Sequence, residues 1–139
     1  MQKINHILFD LDGTLVDSSD AIQAALDHAL QSLGRQYPAD CPVERLIGTP
    51  LVDIFREQFG VVGEPAERAI EHYRQYYDRQ ARAGTRVYDR VAEALEPLCA
   101  SGIGLFVATV TPSPIAEQVL REMGLLRWFQ GVSGGAMAP

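Results

Sequence analysis

Two carboxylates one residue apart, Asp10 and Asp12, have the types and spacing best suited to chemistry in this sequence. They follow the β-prone segment 4–9, which ends in an apolar run and stops where the acids and Gly13 break it. In extended backbone, residues two apart point the same way, so we expect both carboxylates to face one pocket. Two carboxylates at such a short distance raise each other's proton affinity unless they share a cation. One acid can then act as a nucleophile while the other acts as general acid and base.

The residues next to the two acids suit a phosphate ligand. Gly13 lets the backbone approach a phosphate closely, and Thr14 either adds a hydroxyl contact or orients the turn. Segment 4–9 has the composition of a strand that is buried on both faces, as in a parallel sheet. The acids would therefore lie at the end of an internal strand.

A helical block follows the first strand. Apolar residues at helical spacing predict helices over 20–33, 50–59 and 65–83, and a glycine follows each of them. After Gly84 the pattern changes to a helix near 89–100, a buried strand within 102–109, a helix at 114–123 and a short strand at 129–133. Pro97 is expected to kink the first of these helices or end it early.

This order of elements predicts an α/β fold, a partial doubly wound parallel sheet of the Rossmann-like kind. We expect the α/β core to comprise residues 1–16 and 85–139, incomplete at its carboxyl end. Residues 17–84 would form an all-helical insertion immediately after the first strand. Ligands of such sheets bind at the carboxyl ends of the strands, which is where this insertion begins.

Composition excludes several classes of protein. The chain has 139 residues, 47% of them hydrophobic, which suffices for a packed core, and its formal net charge of −6 argues against nucleic acids and anionic membranes as partners. Cys41 and Cys99 are far apart and match no metal-ligand spacing, so we expect idle thiols in a reducing cytoplasm. No signal peptide or membrane-spanning run is predicted.

The motif Asp10-Leu-Asp-Gly-Thr-Leu-Val-Asp-Ser after an apolar strand resembles the first signature of the haloacid dehalogenase superfamily, in particular its phosphoglycolate-phosphatase-like branch. Two further segments fit this resemblance. Val87-Tyr-Asp-Arg-Val is similar to the family's return into the core after the helical insertion. Leu105-Phe-Val-Ala-Thr is similar to the second signature, a strand that ends in a hydroxyl residue.

The resemblance implies a role for each matching residue. Asp10 would attack phosphorus to form an aspartyl phosphate, and Asp12 would protonate the leaving alcohol and then activate water. Thr109 and the backbone N–H of Val110 would bind a phosphate oxygen. Mg²⁺ would be held by the Asp10 carboxylate and the Asp12 main-chain carbonyl. An acid at position 12 implies phosphate chemistry rather than dehalogenation, with a small phosphorylated metabolite as substrate.

The resemblance also implies that residues 17–84 are a mobile cap that closes over the substrate. The segment Arg45-Leu-Ile-Gly-Thr-Pro is similar to the substrate-facing loop of such caps. Arg45 would either meet a carboxylate or second phosphate of the substrate or be a solvated surface side chain. Nothing in the cap sequence selects a substrate.

The sequence departs from the family pattern after Thr109. Val110-Thr-Pro stands where Ser or Asn, then Lys and Pro, are usual; Lys3 is the only lysine, and the only later acids are Glu117 and Glu122. We therefore expect the N-terminal portion of a phosphatase, without the third and fourth signatures and with an open apolar edge on its first strand. Three alternatives remain: an active phosphatase, a phosphoglucomutase-like phosphoryl transferase, and a catalytically incompetent fragment. An open edge would allow self-association.

Overall fold

The structure is a computed structural model in which residues 3–136 are described. It contains two compact units, Met1–Asp17 with Arg86–Pro139, and Ser18–Thr85. These boundaries fall one residue from the predicted limits of the α/β core and the helical insertion. Residues 1–2 and 137–139 of the predicted core range lie outside the described residues.

The main elements follow one another in an order close to the predicted one. The strands are β1 (His6–Phe9), β2 (Val16–Asp17), β3 (Arg86–Val87), β4 (Gly104–Pro112) and β5 (Gly131–Gly135). The helices are α1 (Ser19–Gln31), α2 (Leu51–Glu57), α3 (Glu64–Tyr76), α4 (Val91–Ala100) and α5 (Ser113–Glu122).

The first unit is built on a parallel three-stranded sheet in the order β1-β4-β5. His6 to Phe9 pair in register with Gly104 to Val107, which brings the carboxyl ends of β1 and β4 to the same edge of the sheet. The α/β class and its parallel sheet are thus confirmed. The two-residue strands β2 and β3 form a separate antiparallel ribbon that was not predicted, because two residues are too short to show an alternating pattern.

Only one face of the three-stranded sheet is covered by helices among the described residues. Because the strand order proceeds in one direction, right-handed crossovers place α4 and α5 on the same side. Ile7, Phe9 and Leu105 point to that side and join the hydrophobic core of the unit. The prediction that the first strand is buried on both faces is wrong, since Ile4 and Leu8 are 67% and 68% exposed.

Glycines close the carboxyl end of β5 against β4. A β-carbon built on Gly134 would overlap the backbone of Thr111 and Ser113, and one on Gly135 would overlap the carbonyl oxygen of Val110. The register between β4 and β5 also shifts between Ala108 and Pro112. The two backbones therefore touch here without a side chain between them.

The second unit is all-helical and encloses its own apolar core. Phe55 and Leu26 are fully buried, in a cluster drawn from all three helices and the chain between them. The predicted helix 65–83 is shorter than expected: α3 ends at Tyr76 and gives way to a π-helical turn, Tyr77–Ala81, and a 3₁₀ turn, Arg82–Gly84. Tyr77 and Ala81 are buried in these turns, so the apolar periodicity continues although the helix type changes.

The helix α4 continues through Pro97 to Ala100. A proline lacks the N–H that would bond one turn back, but the carbonyl of Pro97 accepts hydrogen bonds from the Ser101 N–H and hydroxyl. The expected early end of the helix is therefore absent. Across residues 3–136, no helix combines the length and apolarity needed to cross a membrane.

Candidate active site

The loop after β1 is a tight turn that fixes both acidic residues. The Leu11 carbonyl accepts hydrogen bonds from the N–H groups of Thr14, Leu15 and Val16, and the Gly13 N–H donates to Val16 at 2.8 Å. Gly13 has φ of 79°, in the left-handed region that favours glycine. The buried side chains of Leu11 and Leu15 anchor the turn in the core.

Asp10 lies on the exposed side of this turn, directly after the strand. Its Oδ1 accepts a hydrogen bond from the Leu11 N–H at 2.8 Å, which orients the carboxylate. No further contact to its Oδ2 is described within residues 3–136. An oriented carboxylate with an accessible oxygen has the geometry of a nucleophile or of a metal ligand.

Asp12 has a different environment. It is only 8% exposed, and its Oδ2 accepts a hydrogen bond from the Thr111 hydroxyl at 2.7 Å. This bond joins the turn after β1 to the carboxyl end of β4, 99 residues away in the chain. A buried carboxylate held by a hydroxyl is suited to proton transfer, because its position is fixed and its contact with water is limited.

Thr111 was missed by the sequence analysis, which assigned the phosphate-side hydroxyl to Thr109. The spacing of the two threonines could have identified Thr111, because side chains two residues apart on a strand point to the same side. In the structure the Thr109 hydroxyl accepts a hydrogen bond from the Thr111 N–H at 3.2 Å, and Val110 between them is 45% exposed. The Thr111 hydroxyl thus binds Asp12, whereas the Thr109 hydroxyl binds the backbone at the end of the strand.

The α/β unit therefore brings five of the six predicted site residues to one edge of its sheet, at the carboxyl ends of β1 and β4: Asp10, Asp12, Gly13, Thr109 and Val110. Arg45, the sixth, belongs to the helical unit, where it is exposed at the end of a 3₁₀ turn, Val43–Arg45. Its proposed contact with substrate stays a prediction.

The oxygen donors of this edge suit Mg²⁺, a hard cation that binds through one or two carboxylates and keeps water or phosphate as its other ligands. The accessible Asp10 carboxylate could supply one ligand, and the Asp12 main-chain carbonyl is the second candidate that the family resemblance implies. Within residues 3–136, no group of three or more His, Cys, Asp or Glu side chains could enclose a metal. An ion at this edge would therefore take most of its ligands from water or from a bound phosphate.

The helical unit contains a tyrosine whose phenol has a raised pKa. Burial raises the pKa of Tyr37 above its ordinary value of 10.0, and the neighbouring Cys41 thiol and Glu44 carboxylate raise it further. The Tyr37 hydroxyl is buried, and no partner within residues 3–136 meets hydrogen-bond geometry. The Tyr37 hydroxyl therefore bears on the stability of the helical unit.

Comparison with known proteins identifies the family. The haloacid dehalogenase-like hydrolase family matches residues 7–138. The chain is 35% identical to a 5'-nucleotidase of Pseudomonas aeruginosa, over 95% of this chain and 60% of that protein. It is 31% identical to the phosphoglycolate phosphatase of Salmonella choleraesuis, over 97% of this chain and 62% of that protein.

Solved structures agree with the sequence relatives. A predicted phosphatase from Clostridium acetobutylicum superposes with a TM-score of 0.90 at 32% identity, over 96% of this chain and 62% of that one. The chain thus spans about three fifths of the length of these relatives. The match to the family extends over nearly the whole sequence, including both acids and the end of β4. This chain belongs to the haloacid dehalogenase-like hydrolase family.

Proposed function

We propose that this protein is a Mg²⁺-dependent phosphatase that hydrolyses a small phosphate monoester through an aspartyl phosphate on Asp10. The observation that carries the proposal is the contrast between two acids in one turn. Asp10 is exposed and oriented by a backbone N–H, whereas Asp12 is buried and held by the Thr111 hydroxyl. Such a division supports one nucleophile and one proton carrier.

In the first step a carboxylate oxygen of Asp10 attacks phosphorus, and the bond from phosphorus to the ester oxygen breaks. Asp12 donates its proton to the departing alkoxide, so the alcohol leaves neutral. In the second step Asp12 takes a proton from water, whose oxygen attacks the phosphorus of the aspartyl phosphate. Inorganic phosphate leaves and both carboxylates return to their starting forms. Each proton taken from Asp12 is thereby restored within one turnover.

The neighbouring groups would bind the phosphoryl oxygens. Gly13 leaves room for the backbone to approach, and Thr109 and the Val110 N–H lie at the adjacent strand end. The Asp10 carboxylate and the Asp12 carbonyl would hold a Mg²⁺ ion, which would supply positive charge against the anionic phosphate. The Thr111 hydroxyl keeps Asp12 in position through both proton transfers.

The names of two relatives support a substrate class for this proposal. One is a 5'-nucleotidase and another a phosphoglycolate phosphatase, so both carry names of enzymes that remove phosphate from small molecules. We infer a small phosphorylated metabolite for this protein as well, with Arg45 of the cap as the candidate contact for a second anionic group. The cap and its closure over the substrate belong to this proposal.

A second candidate is that the chain carries only part of the catalytic set and cannot turn over by itself. The observation that favours it is coverage, because the relatives are longer than the region they share with this chain. The two candidates differ in one measurement, the hydrolysis of an aryl phosphate by these 139 residues in the presence of Mg²⁺.

The test combines turnover with covalent capture. We expect Asp10→Asn to abolish hydrolysis of p-nitrophenyl phosphate and to remove the label left on acid-quenched protein after incubation with ³²P-labelled aryl phosphate. Asp12→Asn should lower turnover about 10²- to 10⁴-fold. It should nevertheless retain label, because a good leaving group departs without a proton, whereas hydrolysis of the acyl phosphate needs a base that takes a proton from water. Asp89→Asn, at an exposed acid of the same unit, is the matched control.

Two results would contradict the proposal. Label that persists in Asp10→Asn would show that another residue is the nucleophile. Folded wild-type protein that neither turns over nor takes label would favour the second candidate over an active phosphatase.

A further inference from the structure

The helical unit brings two histidine rings together in a place that the proposed chemistry does not use. His28 lies in the last turn of α1 and His72 lies in α3, and their ring centroids are 6.2 Å apart. We call these two side chains the histidine pair. Imidazole nitrogens are common ligands of divalent transition metals, so two such rings from neighbouring helices are candidates for binding one shared ion.

Small side chains between the two helices allow the rings to approach. The helices α1 and α3 pack against each other, and Ala25 and Ala29 of α1 and Ala69 of α3 are fully buried. Buried alanines let two helix backbones come close, because the distance between helix axes depends on the side chains at the contact. His28 follows Ala25 by three residues, and His72 follows Ala69 by three residues. Residues three apart are neighbours on a helix surface, so each histidine lies beside this contact.

The surroundings orient one ring and leave the nitrogens of both rings available. The Tyr76 ring stacks on His28, with centroids 4.3 Å apart and planes 17° from parallel. His28 is half-buried, whereas His72 is exposed. Neither imidazole has a hydrogen bond or an ion pair to another group within residues 3–136. A neutral imidazole carries one donor and one acceptor nitrogen, and the acceptor is the atom that binds a metal.

The distance and the charges at the histidine pair suit a cation. With nitrogen–zinc bonds of about 2.0–2.1 Å, two imidazoles on one tetrahedral ion have their centroids about 5 Å apart, so the pair needs about 1 Å of movement. Rotation of the exposed His72 side chain can supply this movement. His28 lies near the carboxyl end of α1, where a helix carries partial negative charge. The acids Asp27 and Glu71 precede the two histidines in the chain.

We propose that His28 and His72 bind one Zn²⁺ ion, with water as its remaining ligands. Within residues 3–136, no third His, Cys, Asp or Glu side chain joins the pair. The site differs in its ligands from the proposed magnesium site of the α/β unit, because Mg²⁺ prefers oxygen whereas Zn²⁺ accepts imidazole nitrogen. An ion bound to both rings would join α1 to α3 and stabilise the helical unit, since the unfolded chain does not hold the rings together.

The first test measures Zn²⁺ binding to the full chain, without an affinity tag, by isothermal titration calorimetry. Excess Mg²⁺ in the buffer competes with Zn²⁺ for the carboxylates of the candidate active site. His28→Gln and His72→Gln should each lower the affinity at least about tenfold. The combined variant should lose little more than either single one, because one ion uses both rings. His6→Gln and Cys41→Ser, which remove an imidazole of the α/β unit and a thiol of the helical unit, are the controls and should bind like the wild type.

The second test locates the ion and measures its effect on stability. Zn²⁺ should shift the imidazole signals of His28 and His72 in ¹H–¹⁵N spectra and leave those of His6 in place. It should also raise the thermal unfolding midpoint of the wild type but not that of the combined variant, whose folding circular dichroism would establish. Equal affinity of the wild type and the combined variant would overturn the proposal. Losses that add, as for two independent sites, or shifts at His6 alone, would also overturn it.

Discussion

The two units bury their apolar side chains to different extents. The helical unit buries Phe55 and Leu26 within a closed cluster, whereas the α/β unit buries Leu105 and Val107 on one side of its sheet and exposes Leu8 on the other. The units also differ in buried charge, because the buried carboxylate Asp12 lies in the α/β unit, whereas the buried polar residues described in the helical unit are the uncharged Ser18 and Thr85. The candidate site thus lies in the unit whose first strand exposes an aliphatic side chain on one face of the sheet.

The largest contrast in stability should come from one apolar side chain in each unit. Phe55→Ala leaves a cavity in a fully buried site and should lower the free energy of unfolding by about 3–5 kcal/mol. Leu8→Ala, at a side chain that is 68% exposed, should change it by no more than about 0.5 kcal/mol. Urea denaturation measures both. Equal losses would mean that the Leu8 side chain is buried in the folded protein.

A smaller effect is expected at the polar contact of the α/β unit. Thr111→Val keeps the shape of the side chain but removes the donor to the Asp12 carboxylate, and should lower the free energy of unfolding by about 1–2 kcal/mol. Thr111→Ser, which keeps the hydroxyl, is the control. If both variants were as stable as the wild type, the 2.7 Å bond would have no role in fixing Asp12.

The smallest effect has the opposite sign and lies in the helical unit. Tyr37→Phe removes a buried hydroxyl for which residues 3–136 provide no hydrogen-bond partner, and should raise the free energy of unfolding by about 1 kcal/mol. Tyr88→Phe, at a tyrosine that is 40% exposed, should have no effect. Destabilisation by Tyr37→Phe would show that the hydroxyl makes a favourable contact.

Tyr37→Phe should also change how the free energy of unfolding depends on pH. The pKa of the Tyr37 phenol is raised in the folded state above 10.0, so the unfolded chain releases this proton first as the pH rises. The wild type should therefore lose stability above pH 10, and the advantage of Tyr37→Phe should grow there. Thermal unfolding between pH 8 and about 11 measures this difference, since the ordinary tyrosine pKa is about 10.

Local patterns predicted most of the fold. Helical spacing located all five helices, and the apolar run before Asp10 located β1, because these signals depend on residues close in sequence. The end of α3 at Tyr76 was not predictable, since a π-helical turn keeps nearly the same apolar spacing. The exposure of Leu8 was missed for another reason, because burial of a strand depends on which helices pack over it.

The candidate site was predictable in its residues but not in its contacts. The spacing of Asp10 and Asp12 identified the turn, and the motif identified Thr109. The bond from Thr111 to Asp12 joins residues 99 positions apart, and it follows from the parallel register of β1 and β4. A side-chain contact of this range requires the sheet to be known first.

The backbone contact at the end of β5 has a mechanical consequence. Gly134 and Gly135 lie directly against Val110, Thr111 and Ser113, with no compressible side chain between the two strands. A sideways displacement of β5 would therefore move the backbone of Thr111, and with it the Thr111 hydroxyl. Strand β5 thus limits the movement of the hydroxyl that binds the Asp12 carboxylate, although β5 itself contributes no residue to the candidate site.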